Sequence, residues 1–207
     1  MKVLLLNGST RKNGCTYLAL SEVAKVLETE GVETEIVQLG GGTVRDCTGC
    51  NGCAGKGQCV FGDDMVNEII AKAKEADGFV FGSPVYFAHP TGHFLPVLDR
   101  MFYAGGEAFF HKPGAAVVTA RRAGTTASLD VLNKYMTDAQ MPVVSSTYWN
   151  MLFGPAPELV EQAKEGRQTM RNLGRNMAWL LGCIEAGRQQ GRTPPAMETE
   201  HWTNFNR

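Results

Sequence analysis

The 207-residue sequence has no excess of charge of either sign: Lys+Arg number 20 against Asp+Glu 21, a formal net charge of −1. A chain so balanced cannot broadly neutralise a phosphate backbone, which excludes general nucleic-acid binding. Long hydrophobic runs are missing too. The longest, Val3 to Leu6 and the stretch around Trp179 to Ile184, fall far short of the roughly 18–20 residues of a membrane span, so no membrane partner is expected. Met1 and Lys2 lead directly into a short apolar run and a glycine loop, without the apolar core of a secretory signal. A cytoplasmic location is the resulting expectation. Repeats and low-complexity tracts are absent, and no Ser-His-Asp or Cys-His constellation is visible. The four histidines (His89, His93, His111 and His201) share no metal-ligand spacing. What remains is the composition of one core-forming domain, 43% hydrophobic and 20% charged. Cysteine is scarce at six residues, but four of them fall between Cys47 and Cys59. In a reducing compartment such a group points to metal or redox chemistry before disulfides.

Hydrophobic periodicity divides the chain into alternating elements. Val3 to Leu6 reads as a buried strand and Thr16 to Glu28 as a helix. Glu33 to Leu39 follows as a strand, and Asp63 to Ala76 as a helix capped by Asp63 or Asp64. Gly78 to Gly82 is a third strand, and His93 to Phe102 a helix that starts late or kinks at Pro96. Gly114 to Thr119 is a fourth strand, Thr125 to Ala139 a helix, Pro142 to Trp149 a fifth strand, and Pro157 to Ala186 a long last helix. Strands alternating with helices predict an α/β fold, with a parallel sheet covered on both faces. Residues 1–186 are expected to form this single domain, with a cysteine-rich loop at 40–62, and residues 187–207 an extended tail.

In such a fold ligands sit at the carboxyl ends of the strands. The first connection, Asn7 to Thr16 (NGSTRKNGCT), offers Ser9, Thr10, Asn13 and Thr16 as neutral donors and Arg11 as a charge, beside a helix start. Unpaired helix N–H groups favour an anion there. Neither a Walker A lysine nor a GxGxxG pattern is present, so a monophosphate ester fits better than a nucleoside triphosphate or dinucleotide. Cys15 reads as a small loop residue, although a helix start would favour its thiolate. After the third strand, Gly82 to Phe94 brings a Gly-Ser-Pro turn with Tyr86 and Phe87, suited to a flat heteroaromatic ring. Thr119 to Thr126 places Arg121 and Arg122 at the same edge, where they could recognise the phosphates of an incoming nucleotide.

The spacing Cys47-x2-Cys50-x2-Cys53-x5-Cys59 wraps four thiolates around one short loop, the ligand set of a 4Fe–4S cluster. Glycines at 49, 52, 55 and 57 permit positive φ there. A structural zinc ion and a cluster-free thiol or disulfide loop are the competing readings; zinc sites more often separate two CxxC pairs. Cys183 lies beside Leu180, Leu181 and Ile184 and reads as core.

Taken together, NGSTRKNGCT, GSPVYF with the following Asp99-Arg100, KPGAAVVTARRAG, YWNM, GRNMAWLL and the closing TNFNR resemble the flavodoxin-like NADPH-dependent FMN reductase superfamily. The cysteine loop is similar to that of its iron-sulfur flavoprotein branch. The resemblance implies a flavodoxin-like doubly wound five-stranded parallel sheet of order 2-1-3-4-5, with FMN at the strand carboxyl ends. Ser9, Arg11, Asn13, Cys15 and Thr16 would surround the phosphate. Ser83, Pro84, Val85, Tyr86 and Phe87 would lie along the ring, with Ala120, Arg121, Arg122, Ala123 and Gly124 on its other side. Relatives often carry Asn or Ser where this chain has Cys15, which removes one side-chain contact. Cys47, Cys50, Cys53 and Cys59 would be the metal ligands.

The function implied is an FMN-dependent oxidoreductase that moves electrons between NAD(P)H or a ferredoxin-like donor and a small-molecule or protein acceptor. No catalytic side chain is required, because the cofactors carry the chemistry. A cluster-free FMN or quinone reductase, an electron carrier without its own substrate, and a redox-sensing thiol module are the alternatives. The resemblance also implies a homodimer or homotetramer, compatible with exposure of Phe102, Tyr103, Phe109, Phe110, Trp149 and Phe153.

Overall fold

The computed structural model describes residues 1–201 and 203; of the closing TNFNR run, all but Thr203 lies outside the described residues. The elements in chain order are β1 (Lys2–Asn7), α1 (Cys15–Thr29), β2 (Glu33–Gln38), α2 (Val66–Glu75), β3 (Gly78–Tyr86), β4 (His89–Pro90) and α3 (Leu95–Gly105). A 3-10 turn (Gly106–Ala108), β5 (Gly114–Ala120), α4 (Thr125–Asp138), β6 (Met151–Phe153), α5 (Pro157–Val160) and α6 (Lys164–Gln189) complete it. The parallel sheet runs β2-β1-β3-β5-β6, and β4 folds back antiparallel on the end of β3. With that short return left out, the order is the expected 2-1-3-4-5 of a flavodoxin-like fold.

The strand sequences explain why both faces are covered. Along β1, Leu4 and Leu6 join Phe79, Phe81, Ala116 and Val118 in one core, packed by α2, α3 and α4. Val3 and Leu5 point the other way and join Val80, Ala115 and Val117 beneath α1 and α6. Period-two alternation of uniformly apolar residues therefore fills two cores from one sheet.

A single carboxylate ties the helices of the second face. Glu22 of α1 accepts from Arg167 Nε at 3.1 Å and Nη2 at 2.8 Å, and from Arg171 Nη1 at 3.2 Å, both on α6. Burial alone would raise this carboxyl's pKa, but the two arginines outweigh it and hold it below the ordinary value. The folded value thus lies under the roughly 4.3 of an unfolded glutamate, so the stabilisation is complete above that pH and is lost as pH falls through the folded value. Glu22→Gln is expected to cost about 1 kcal/mol at pH 7, and the deficit should shrink toward zero at acid pH in denaturant titrations.

The fold corrects five sequence expectations. The fifth strand is not Pro142–Trp149 but Met151–Phe153. Val143 makes one isolated bridge to Gly114, and the polar residues that follow turn to α6 instead. Ser146 Oγ donates to the Thr169 carbonyl at 2.7 Å, and Asn176 Nδ2 to the Ser145 carbonyl at 2.8 Å. The last helix is broken, because residues 161–163 separate α5 from α6. Cys183 is exposed, not core: the buried stripe of α6 runs Met170, Leu173, Met177, Leu181, and a residue two beyond Leu181 faces away from it. Of the aromatics, Phe109 is fully buried. Phe102 and Phe110 pack against the same core, with the Phe102 and Phe109 rings stacked at 4.4 Å. Tyr103, Trp149 and Phe153 are exposed as expected. Finally, α2 starts at Val66 rather than Asp63, and the Asp64 carboxylate accepts the Val66 N–H at 3.2 Å. No described helix is long and apolar enough to cross a membrane.

Candidate flavin edge and cysteine loop

Four connections meet at the carboxyl edge of the sheet and enclose one cleft. It is lined by Ser9, Arg11, Gly14, Cys15 and Thr16 after β1, by Pro84, Val85 and Tyr86 at the end of β3, by Thr119, Ala120 and Arg121 at the end of β5, and by Gly154 and Pro155 after β6.

The first loop is held by its own polar groups. Ser9 N–H donates to Asn7 Oδ1 at 3.2 Å, and Ser9 Oγ accepts the Arg11 N–H at 3.1 Å. Gln38 Nε2 on β2 braces the turn by donating to the Ser9 carbonyl at 2.6 Å. Gly8 passes so close to its neighbours that a Cβ there would lie 2.6 Å from the Phe94 ring, and its N–H donates to the Gly82 carbonyl at 2.8 Å. The backbone is thereby folded into a cradle at the start of α1, which has no side-chain cap. Its first N–H groups and the helix dipole are open to an anion. Inside, Thr16 and Thr119 hydroxyls meet at 2.8 Å and tie α1 to β5. Cys15 is no thiolate: burial raises its pKa, and its Sγ lies 3.5 Å from the Gly154 carbonyl as a donor.

Not every residue singled out in the sequence lines this cleft. Ser83 is fully buried, and its hydroxyl shapes the bend by donating to the Pro84 carbonyl at 2.9 Å and accepting the Thr91 N–H at 3.0 Å. Phe87 has φ 65° and is fully exposed, an unusual conformation for a bulky residue. Asn13, Arg122 and Ala123 are exposed on the rim, and Gly124, at φ 84°, is the N-cap of α4. Conversely, Gly14, Thr119, Gly154 and Pro155 line the cleft without having been singled out. The Gly-Pro turn after the apolar Met151–Phe153 run was the available signal for the last two, obscured by the misplaced fifth strand.

The four clustered cysteines line a second cavity together, with Thr48, Asn51, Val60, Phe61, Arg100, Tyr103 and Ala104. Gly49, Gly55 and Gly57 take positive φ as expected, but Asn51 does so in place of Gly52. Gly52 is needed for closeness instead, since a Cβ there would lie 2.9 Å from Val60. Cys50 has its pKa lowered by hydrogen bonds from the Gly52 N–H and then the Thr48 side chain. Cys59 is gripped by its backbone: its N–H donates to Asn67 Oδ1 at 2.8 Å, and Asn67 Nδ2 donates to its carbonyl at 2.9 Å. Tyr103 OH donates to Asn51 Oδ1 at 2.9 Å and fixes the middle of the loop to α3.

None of the six cysteines is paired in a disulfide. Among the described residues, no three His, Cys, Asp or Glu side chains converge to hold a single metal ion.

Comparison with known proteins bears on the family and the fold. Residues 1–155 match the family described as NADPH-dependent FMN reductase. An iron-sulfur flavoprotein of Methanocaldococcus jannaschii is 33% identical over 193 residues, 89% of this chain and 100% of the relative. Another, from Methanosarcina thermophila, is 26% identical over 196 residues, 92% of this chain and 100% of its own length. Among solved structures, a flavodoxin from the domain Archaea superposes with a TM-score of 0.60 at 15% identity, covering 88% of this chain and 99% of that one. That last likeness shows the fold alone.

Proposed function

The chain belongs to the NADPH-dependent FMN reductase family, and from that premise we propose that it binds FMN at the carboxyl edge of its sheet and a 4Fe–4S cluster in its cysteine loop. It is an FMN-binding oxidoreductase of the iron-sulfur flavoprotein kind, with NAD(P)H as electron source. The observation that carries the reading is the pairing of one cradle of neutral donors at a helix start with one cavity lined by all four clustered cysteines. FMN bound at this edge supplies hydride acceptance from NAD(P)H and onward release of electrons singly or in pairs.

The chain's own residues bind and orient. The Ser9–Thr16 backbone and the Ser9 and Thr16 hydroxyls receive the phosphate, and Arg11 supplies a counter-charge from the rim. Pro84, Val85 and Tyr86 form one wall for the ring, with Ser83 holding the bend behind them. Ala120 and Arg121 form the other wall, and Gly124 lets α4 start close behind Val85, whose Cγ1 would lie 2.8 Å from a Cβ at that glycine. Arg121 and Arg122, both exposed on this edge, are placed to meet the phosphates of an incoming dinucleotide. Thiolates of Cys47, Cys50, Cys53 and Cys59 are the ligand set for the cluster, and the acceptor is a small molecule or a protein. Exposed Phe87, Tyr103, Trp149 and Phe153 support assembly into a homodimer or homotetramer.

Anaerobically purified protein is expected to contain FMN, iron and sulfide, and NADPH should bleach its flavin absorbance within the turnover time. If only a reduced ferredoxin bleached it, direct hydride delivery would be wrong. Iron-free protein after reconstitution would overturn the cluster.

A further inference from the structure

Arg100, in the middle of α3, is a guanidinium only 1% exposed. A cation this far from water persists only when paired and fully hydrogen-bonded. All its partners belong to the segment that carries the cysteines. Nη1 bonds the Asp64 carboxylate and donates to the Arg45 carbonyl at 3.1 Å, Nη2 donates to the Phe61 carbonyl at 2.8 Å, and Nε donates to Cys59 Sγ at 3.2 Å. Arg45 precedes the first cysteine, while Phe61 and Asp64 follow the last. One rigid fork therefore closes both ends of the loop onto α3. Asn67 already holds the Cys59 backbone from α2, which leaves the direction of the sulfur to Arg100.

We propose that Arg100 is a positioning residue of the cysteine loop: it clamps the loop shut and aims a charge-assisted hydrogen bond at the Cys59 sulfur, so that a cluster held there is reduced at a higher potential. The clamp stands independently of the cluster reading, and the effect on potential rests on it. The physical reason is that a fixed positive charge and a donor to a ligand sulfur both favour the form of the cluster that carries one more electron. Lysine cannot replace the fork, because its point charge lacks the planar donor geometry that reaches the Cys59 sulfur and the Arg45 and Phe61 carbonyls at once.

Two full-length variants separate these effects. Arg100→Lys keeps the charge and loses the fork, whereas Arg100→Gln combined with Asp64→Asn removes the charge without leaving a buried carboxylate unpaired. In iron-free protein, the amides of residues 45–61 are expected to exchange hydrogen at least tenfold faster in both variants, with those of β1 unchanged; exchange as slow as in the parent would overturn the clamp. In reconstituted protein, redox titration should place the cluster potential lower in the double variant than in the parent, with Arg100→Lys between them. Loss of iron with FMN retained also supports the positioning role. Equal potentials at equal iron content would overturn the tuning. A parent protein that takes up no iron would defeat the cluster reading and the tuning with it, and the exchange measurement would still decide the clamp. Should the double variant fail to fold, Arg100→Lys alone decides both points by the same readouts.

Discussion

Cys53→Ser strips the protein of iron while leaving its FMN in place: iron content is expected to fall below a tenth of the parent's, with flavin content unchanged. The expectation follows from ligand count. A cuboidal cluster takes one thiolate per iron, and the loop contains four cysteines, all lining the one cavity. A serine hydroxyl does not ionise near neutral pH, so the site is left with three ligands and an open corner. Flavin should be indifferent, since Cys53 packs against the core under α2 and α3, whereas the flavin cleft is built from the loops after β1, β3, β5 and β6. The control is Cys183→Ser, an exposed thiol on α6, which should alter neither cofactor. Iron retained by Cys53→Ser, or lost equally from the Cys183 control, would overturn the assignment. Iron and sulfide assays on anaerobically prepared protein measure it directly.

Ser9→Asp is expected to weaken FMN binding at least tenfold without unfolding the chain. Ser9 is only 4% exposed and sits in the proposed phosphate cradle. Its Oγ accepts the Arg11 N–H at 3.1 Å, a role that an aspartate oxygen can also fill, so the turn should survive. What changes is charge. Two like unit charges about 4 Å apart cost about 4 kcal/mol at an effective dielectric of 20, equivalent to about a thousandfold in affinity, and even half of that exceeds tenfold. Ser9→Ala, which removes a neutral donor, should cost only about 1 kcal/mol. Fluorescence titration of FMN into stripped protein distinguishes the two. Equal losses in both variants would place the phosphate elsewhere, and unchanged iron content in Ser9→Asp would show that the cysteine loop is independent of the flavin edge.

The parts of the fold legible in the sequence were those set by local periodicity. Val3 to Leu6 and Gly114 to Thr119 announce buried parallel strands because every residue is apolar or small, and the structure places them on either side of the central strand β3. Pro142 to Trp149 reads as a strand because it carries β-branched residues, while its polar groups find better partners on α6 than in the sheet. Pairing resumes only at Met151, and the cleft residues Gly154 and Pro155 moved with it. Cys183 is exposed despite its apolar neighbours, because an apolar neighbourhood in sequence says nothing about which side of a helix meets the sheet.

Alternation of strand and helix, the absence of membrane-length runs, the donor-rich loop after β1 and the spacing of Cys47, Cys50, Cys53 and Cys59 were determined by the sequence alone, because each depends on residues close together in the chain. Tertiary structure decided what depends on residues far apart. It joined four separate connections into one cleft, gathered the four clustered cysteines around a shared cavity, and buried Arg100 where its fork holds Arg45, Cys59, Phe61 and Asp64 together. Only folding brings a side chain 41 positions away within hydrogen-bond reach of a sulfur, and the cost of burying its charge is met by partners that no local pattern announces.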